Sequence, residues 1–331
     1  MSSGAPMKIS VVICTRDRPD TVGQAVESVA ECDYPNFDMH VMDQSTNELT
    51  REIVVALAKR FEKKCTINYH HLDKAGLSRA YNAGIRVSDG GVIACTDDDV
   101  IVPTDWIAQA ARAFDADPEA GLLYGQVLVP ESLKQAEKSG TIIPSLLIPR
   151  RDRLAKRGGS RFRVFGMGAN MAIRRTVLER VLGFDEALGG GGPLRSSQDY
   201  DFAYRVYRSG MAVLLEPDVK VDHYGTRTQE QWPGTLKAYG IGDGAFYSKH
   251  IRCGDPRATW LFATLVVRMG LRQVKRRLEG RPRDEYGANL FAGVRDAWKF
   301  GIDREFRIYR ETGAAKMTVT DANAVTATKR R

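Results

Sequence analysis

Between residues 8 and 115, short apolar runs rich in β-branched residues alternate with segments of helical periodicity. That alternation constrains the fold more than any other feature of the chain. Residues 8–14, KISVVIC, read as a first strand. Pro19-Asp20-Thr21 opens a helix whose apolar positions Val22, Ala25, Val26 and Val29 share one face, and Asp33-Tyr34-Pro35-Asn36 breaks it. Further strands are expected at 37–42, 66–70 and 92–96, with helices at about 50–63, 76–87 and 106–115. Strand followed by helix, repeated, predicts an α/β fold with a doubly wound, mostly parallel, Rossmann-like sheet and right-handed crossovers.

Beyond Gly121 the pattern loosens. A strand is expected at 122–130. Residues 131–163 form a long charged stretch around the apolar island 142–149, and segments of that length are usually lids or disordered. A strand reaching Ile173 and a short helix at 176–181 come next. The run Gly189-Gly190-Gly191-Gly192 forbids regular structure and reads as a mobile loop. A helix at 199–209, a strand at 212–217 and the segment 220–224 close this part. Later come a glycine-weakened helix at 233–249 and a longer one at 259–278. The latter begins apolar and ends basic, which fits either a helix lying on a membrane surface or one packed on the protein. Residues after about 312 are expected to be disordered.

The chain has 331 residues, 43% of them hydrophobic, and a mean hydropathy of -0.32, values of a soluble globular protein. No apolar stretch is long enough to span a bilayer, and the N-terminus has no secretory pattern. Cys14, Cys32, Cys65, Cys95 and Cys253 are dispersed, with no CxxC pair. That argues for reduced thiols and a cytoplasmic location, and against a disulfide frame or zinc site. The net charge of +8 is concentrated at 268–283 and at the C-terminus. A basic excess suits nucleic acid, anionic lipid or a nucleotide-bearing substrate. No zinc-finger, helix-turn-helix or RNP-like pattern supports nucleic acid.

Asp97-Asp98-Asp99 stands where the strand 92–96 ends, the edge at which open α/β sheets bind ligands. Three consecutive carboxylates repel one another unless a cation or solvent relieves them. In extended backbone Asp97 and Asp99 face one side, so they can hold a hard divalent ion such as Mg²⁺, shared with substrate phosphates. A solvated acidic turn is the plain alternative.

Five segments in order, VVICTRDRP at 11–19, VMDQS at 41–45, AGLSRAYNAG at 75–84, TDDD at 96–99 and QDYDF at 198–202, resemble the family 2 inverting glycosyltransferases of the GT-A fold. The resemblance covers residues 7–226. It implies a nucleotide-sugar-binding catalytic domain there, a helical C-terminal extension at 227–311 and a tail at 312–331. It also implies that Asp97 and Asp99 form a DxD-type pair for Mn²⁺ or Mg²⁺, with Asp98 near the ribose or donor sugar. Asp43 matches the position that meets the nucleotide base, and a carboxylate there suits the imide N–H of uracil or thymine. Thr15 and Arg16 match the first loop at the nucleotide, and Arg79 and Asn82 the helix along it. Asp199 matches the general base, although Gln198 replaces the usual Glu, and Asp201 competes with it. His223 matches a histidine that completes the metal shell in part of the family. Asn170 is a donor or acceptor contact, and the tetraglycine run an acceptor-side lid.

The resulting expectation is a metal-dependent transferase moving a sugar from a nucleoside-diphosphate donor, UDP by the Asp43 reading, to a hydroxyl of a glycan or lipid-linked acceptor. Two other readings are a noncatalytic carbohydrate-binding protein on the same fold and a sugar nucleotidyltransferase. The latter expects a glycine-rich loop after the first strand, and TRDRP contains none. The basic C-terminal helices suggest an anionic membrane surface or, alternatively, a homodimer contact.

Overall fold

A computed structural model of the chain describes residues 5–155, 166–280 and 285–310. The expected tail at 312–331 lies outside them. The element order begins β1 (Ile9–Thr15), α1 (Pro19–Ala30), β2 (Phe37–Asp43), α2 (Leu49–Arg60), β3 (Thr66–His71), α3 (Leu77–Val87) and β4 (Val92–Asp97). It continues with β5 (Val100–Ile101), α4 (Trp106–Ala116), β6 (Ala120–Leu128), α5 (Lys134–Lys138), β7 (Asp152–Leu154), β8 (Asn170–Arg174), α6 (Leu178–Val181), α7 (Gln198–Arg208) and β9 (Ala212–His223). The C-terminal part holds α8 (Trp232–Arg252), α9 (Pro256–Leu278), α10 (Glu285–Asp296) and the hairpin β10 (Gly301–Asp303) and β11 (Ile308–Arg310).

The main sheet has nine strands in the order β3-β2-β1-β4-β8-β6-β9-β5, with β7 beside β9. Its first four strands are parallel. Beyond β4, the antiparallel β8 separates it from β6, which again runs parallel to β9. β1 shows why the sheet is covered on both faces. Ile9, Val11 and Ile13 enter the core under α1 and α4, while Val12 and Cys14 enter the core under α3 and α7. A strand buried on both faces reads as a continuous apolar run rather than an alternating one. Each fully buried Val or Ile contributes about 1.5–3 kcal/mol.

The strand order reverses between β1 and β4. There the crossovers depart to opposite faces and leave a crevice at the carboxyl ends, the usual ligand site of such sheets. Thr15 and the Asp97–Asp99 run sit at this edge.

Several elements differ from the sequence-based expectation. The strand expected at 212–217 continues to His223. A register shift opposite Gly125/Gln126 absorbs Pro217, whose carbonyl accepts from Gln126 Nε2 at 2.7 Å. The first part of the long charged stretch folds into α5 and β7, and Val127 bridges Leu146. The tetraglycine run is held by backbone bonds: Leu77 N–H donates to Gly190 O at 2.8 Å, Gly189 N–H to Ser196 O at 3.2 Å and Gly192 N–H to Gly189 O at 2.9 Å.

The glycines that weaken α8 as an isolated helix have a packing reason. A Cβ on Gly244 would collide with the backbone of Leu290 in α10, and one on Gly293 with the backbone of Ile241. The two helices therefore touch backbone to backbone. Phe246 and Tyr247 of α8 also join the apolar cluster that contains Phe202 and Tyr204 of α7. No helix among the described residues is long and apolar enough to cross a membrane.

Candidate active site

The crevice is built by local pairing. Cys14 of β1 lies opposite Asp97 of β4, which brings the loop after β1 to the acidic run. β5 follows that run at once and pairs Val100 with His223. Tyr224 N–H donates to Asp99 O at 2.8 Å, so the end of β9 is fixed against Asp99. His223 Nε2 consequently stands 3.4 Å from Asp99 Oδ1. Asp97, Asp99 and His223 each present one ligand atom, all within 4.8 Å of one another.

Two carboxylates and an imidazole are a suitable donor set for Mn²⁺, and the surroundings fit an ion. A Cβ on Gly225 would stand 2.5 Å from Asp99 Oδ2 and 2.7 Å from His223 Cε1, so only glycine leaves this cradle open. The His223 Nδ1 atom is buried without a partner. The neighbouring carboxyls are pushed in opposite directions. Burial, then the charge of Asp99, lifts Asp97 to about 7. Burial also works to raise Asp99, but the His223 hydrogen bond and Arg18 outweigh it and hold that group below its usual value.

Sequence reasoning passed over Arg18. Its NH1 lies 2.9 Å from Asp98 Oδ1 and 2.7 Å from Asp99 Oδ2. Thr15 Oγ1 donates to the other Asp98 oxygen at 2.7 Å. Arg16, the expected nucleotide contact, instead lies beside Asp17 at 3.4 Å and is half exposed. Arg18 is the residue just before α1, whose first residue is Pro19, and nothing in TRDRP marks it rather than Arg16 as the inward-facing side chain. Arg18 is a resident counter-cation. Arg18→Ala should lower the melting temperature of the metal-free protein, by a free energy of about 1 kcal/mol given the half-exposed side chain. It should also tighten Mn²⁺ binding several-fold in calorimetric titration. Weaker Mn²⁺ binding in the variant would show that Arg18 supports the ion rather than competing with it.

The remaining expected residues occupy distinct places. Asp43 is fully buried, with Oδ1 accepting from Ser45 N–H at 2.8 Å and Oδ2 from the Tyr69 hydroxyl at 2.9 Å. Arg79 Nε pairs with Glu186 at 3.1 Å. Asn82 bonds both ways to Phe184 and also reaches Glu186, so α3 holds the segment before the tetraglycine run. Asn170 is a strut. It accepts from Trp106 Nε1 at 3.0 Å and donates to the carbonyls of Gln126 and Val219.

Asp199 stands in the first turn of α7. Oδ2 accepts from Gly168 N–H at 3.0 Å and Oδ1 from Tyr200 N–H at 2.8 Å. Burial raises its carboxyl above the ordinary value, against those two bonds. A Cβ on Gly168 would lie 3.5 Å from the Tyr81 hydroxyl and 3.8 Å from Asp199 Oδ2. Tyr81 donates to Asp97 Oδ1 at 3.2 Å. One glycine therefore marks the approach of the Asp199 wall to the acidic wall. Asp201, the competing base, is fully buried against Arg205, Lys249 and His250 at 2.8, 2.7 and 3.0 Å. Its lone pairs are committed.

A profile described as Glycosyl transferase family 2 matches residues 10–182, more than half the chain. The chain belongs to this family and is a glycosyltransferase of the GT-A type. It is similar to the glucosyl-dolichyl phosphate glucuronosyltransferase of Haloferax volcanii, with 25% identity over 68% of this chain and 72% of the relative. It also resembles the probable glycosyltransferase YdaM of Bacillus subtilis, with 23% identity over 70% of this chain and only 52% of the relative's length. Among solved structures, the mannosyltransferase PcManGT of Pyrobaculum calidifontis, in complex with GDP-Man and Mn²⁺, superposes with a TM-score of 0.57. The match has 17% identity and covers 89% of this chain and 86% of that one. S. aureus TarS 1-349 with UDP-GlcNAc gives 0.53 at 16% identity, covering 72% of this chain and 66% of that one. At such identities these structures speak for the fold alone.

Proposed function

We propose that the chain is a metal-dependent, inverting transferase that takes a glycosyl group from a nucleoside-diphosphate sugar to a hydroxyl of a glycan or lipid-linked acceptor. The observation that carries the reading is the convergence of Asp97, Asp99 and His223 in the switch-point crevice. These three residues would hold Mn²⁺ or Mg²⁺. When bound, such an ion supplies Lewis-acid stabilisation of charge on a diphosphate leaving group. The Mn²⁺ and GDP-Man of the Pyrobaculum structure and the UDP-GlcNAc of TarS support a donor of this class.

The chain's own residues do the rest. Asp199 accepts the acceptor hydroxyl's proton. The oxygen so activated attacks the anomeric carbon, and the bond from that carbon to the diphosphate oxygen breaks on the opposite side, which inverts the centre. Thr15 and Arg18 orient Asp98 toward the donor. A uracil or thymine base, with UDP as the donor nucleotide of choice, is the reading of Asp43. Each of its oxygens has a second lone pair, and Tyr69 must turn aside for a base to reach them.

A thermal-shift screen of UDP, GDP, dTDP and CDP, with and without Mn²⁺, tests the donor site. One nucleotide should raise the melting temperature only with metal, adding about 2.7 kcal/mol at a hundredfold excess over Kd. Asp99→Ala should erase the shift. Silence from all four nucleotides overturns the donor site, and a GDP preference overturns the role of Asp43 in choosing uracil.

A further inference from the structure

The helix α9 turns two opposite faces to two different environments. Leu261, Phe262 and Leu265 pack against the core beneath α7 and α8. Met269 continues that face and lies 2.9 Å from where a Cβ of Gly287 would stand. On the far side Trp260, Val267, Leu271, Val274 and Leu278 are 57, 61, 68, 60 and 84% exposed. At 3.6 residues per turn these five fall within an arc of about 60°, over a length of about 27 Å. Scattered exposed apolar residues need no explanation, but a continuous stripe does.

The charge beside the stripe indicates what covers it. Arg257, Arg268, Arg272, Lys275, Arg276 and Arg277 are all basic, and α9 carries no acidic residue. Arg268 and Lys275 are exposed along one edge of the stripe and Arg277 beyond the other, while Arg272 and Arg276 fall on the side of the helix that Leu261 and Leu265 share. Long basic side chains beside an apolar stripe lay their stems along it and lift their charged ends to headgroup level. An apolar face with a one-sign polar border fits an interfacial helix, and α9 is not apolar enough to cross a bilayer. A second copy of this chain would set the same basic border against itself. An acidic border is what the stripe lacks, and an anionic lipid surface supplies one.

We infer that α9 is a membrane-docking helix that seats its Trp260–Leu278 stripe in the interface of an anionic lipid bilayer. This goes beyond the donor-site reading, because the surface lies outside the crevice. Vesicle binding and nucleotide binding therefore succeed or fail separately.

The test is co-sedimentation of the full chain with vesicles of phosphatidylcholine alone, or of equal parts phosphatidylcholine and phosphatidylglycerol. Binding is expected only with the anionic vesicles and should weaken as salt rises. Arg268→Gln with Lys275→Gln should lower the partition coefficient roughly fivefold for each charge removed. Leu271→Ser with Val274→Ser should lower it further. Both pairs are exposed, so melting temperature and Mn²⁺-dependent nucleotide shifts should match the parent. No binding at low salt overturns the inference, as does binding that ignores both pairs. A dimer in sedimentation equilibrium that the serine pair dissociates, without vesicle binding, identifies a second copy as the occupant and overturns it too.

Discussion

Asp199→Asn should lower turnover by roughly a hundred- to ten-thousandfold, the usual worth of a general base, while leaving donor binding at its parent value. The two effects separate because the two walls of the crevice are separate. Asp199 belongs to α7, and its carboxylate is held by Gly168 and Tyr200 N–H groups. The acidic run belongs to the end of β4 and reaches Tyr81, Thr15, Arg18 and His223. Asn preserves the volume and one acceptor, so the loop at Gly168 keeps a partner. The proton-accepting oxygen is lost. Burial already raises the Asp199 carboxyl, which makes its anion a better base than an exposed one would be. Asp201 cannot take over, since it is fully buried among cations. Single-turnover kinetics with a saturating donor, set beside a nucleotide titration, read the two quantities independently. Near-parental turnover in the variant would remove Asp199 from the mechanism. An equal loss in donor affinity would make it a structural residue of the Gly168 turn.

Much of this site is visible in the sequence, for a physical reason. A parallel strand buried on both faces is an apolar run, and the residues at its carboxyl end lie at the ligand edge. TRDRP after β1 and TDDD after β4 fall in place on that ground. The antiparallel half is harder to read. β8 and β5 are short and owe their existence to partners far along the chain, and the β5–β9 pairing, with the Tyr224 to Asp99 backbone bond, brings His223 to Asp99. Side-chain direction is also hidden. Arg16 and Arg18 look equivalent in sequence, yet only Arg18 turns toward the carboxylates. Arg79, Asn82 and Asn170 have polar side chains in the right motifs, and in the structure they brace Glu186, Phe184, Gln126 and Val219. The α8 glycines read as helix weakness because α10, which packs on them, is distant in sequence.

Lys249→Met should destabilise the protein by about 3–5 kcal/mol, because it leaves a buried carboxylate without its cation. Lys249 is fully buried, 2.5 Å from Asp185 and 2.7 Å from Asp201. Arg205 supplies the second positive charge at Asp201. His250 does not add a third. Burial, against its bond to Asp201, lowers its pKa from 6.5 to about 4, so it is neutral in the folded protein near pH 7. Two acids and two bases therefore balance in a dry core, and Met fills the space of Lys while breaking that balance. The cluster also ties the C-terminal hairpin to α7, since Tyr309 N–H donates to Asp185 at 2.9 Å and Lys249 joins Asp185 to Asp201. The loss should consequently appear in the whole unfolding transition, as a lower urea midpoint at constant slope. The pH dependence separates this mechanism from simple loss of packing. In the parent, the unfolded chain binds the His250 proton more readily, so stability should fall as pH drops from about 6.5 toward 4. In the variant an uncompensated carboxyl takes up a proton on folding. Its folded pKa is raised, so its cost should shrink as pH falls and grow as pH rises. Adding Asp185→Asn restores the charge balance and should recover part of the loss. A deficit that is flat in pH and unmoved by the second change would assign the effect to packing and not to charge.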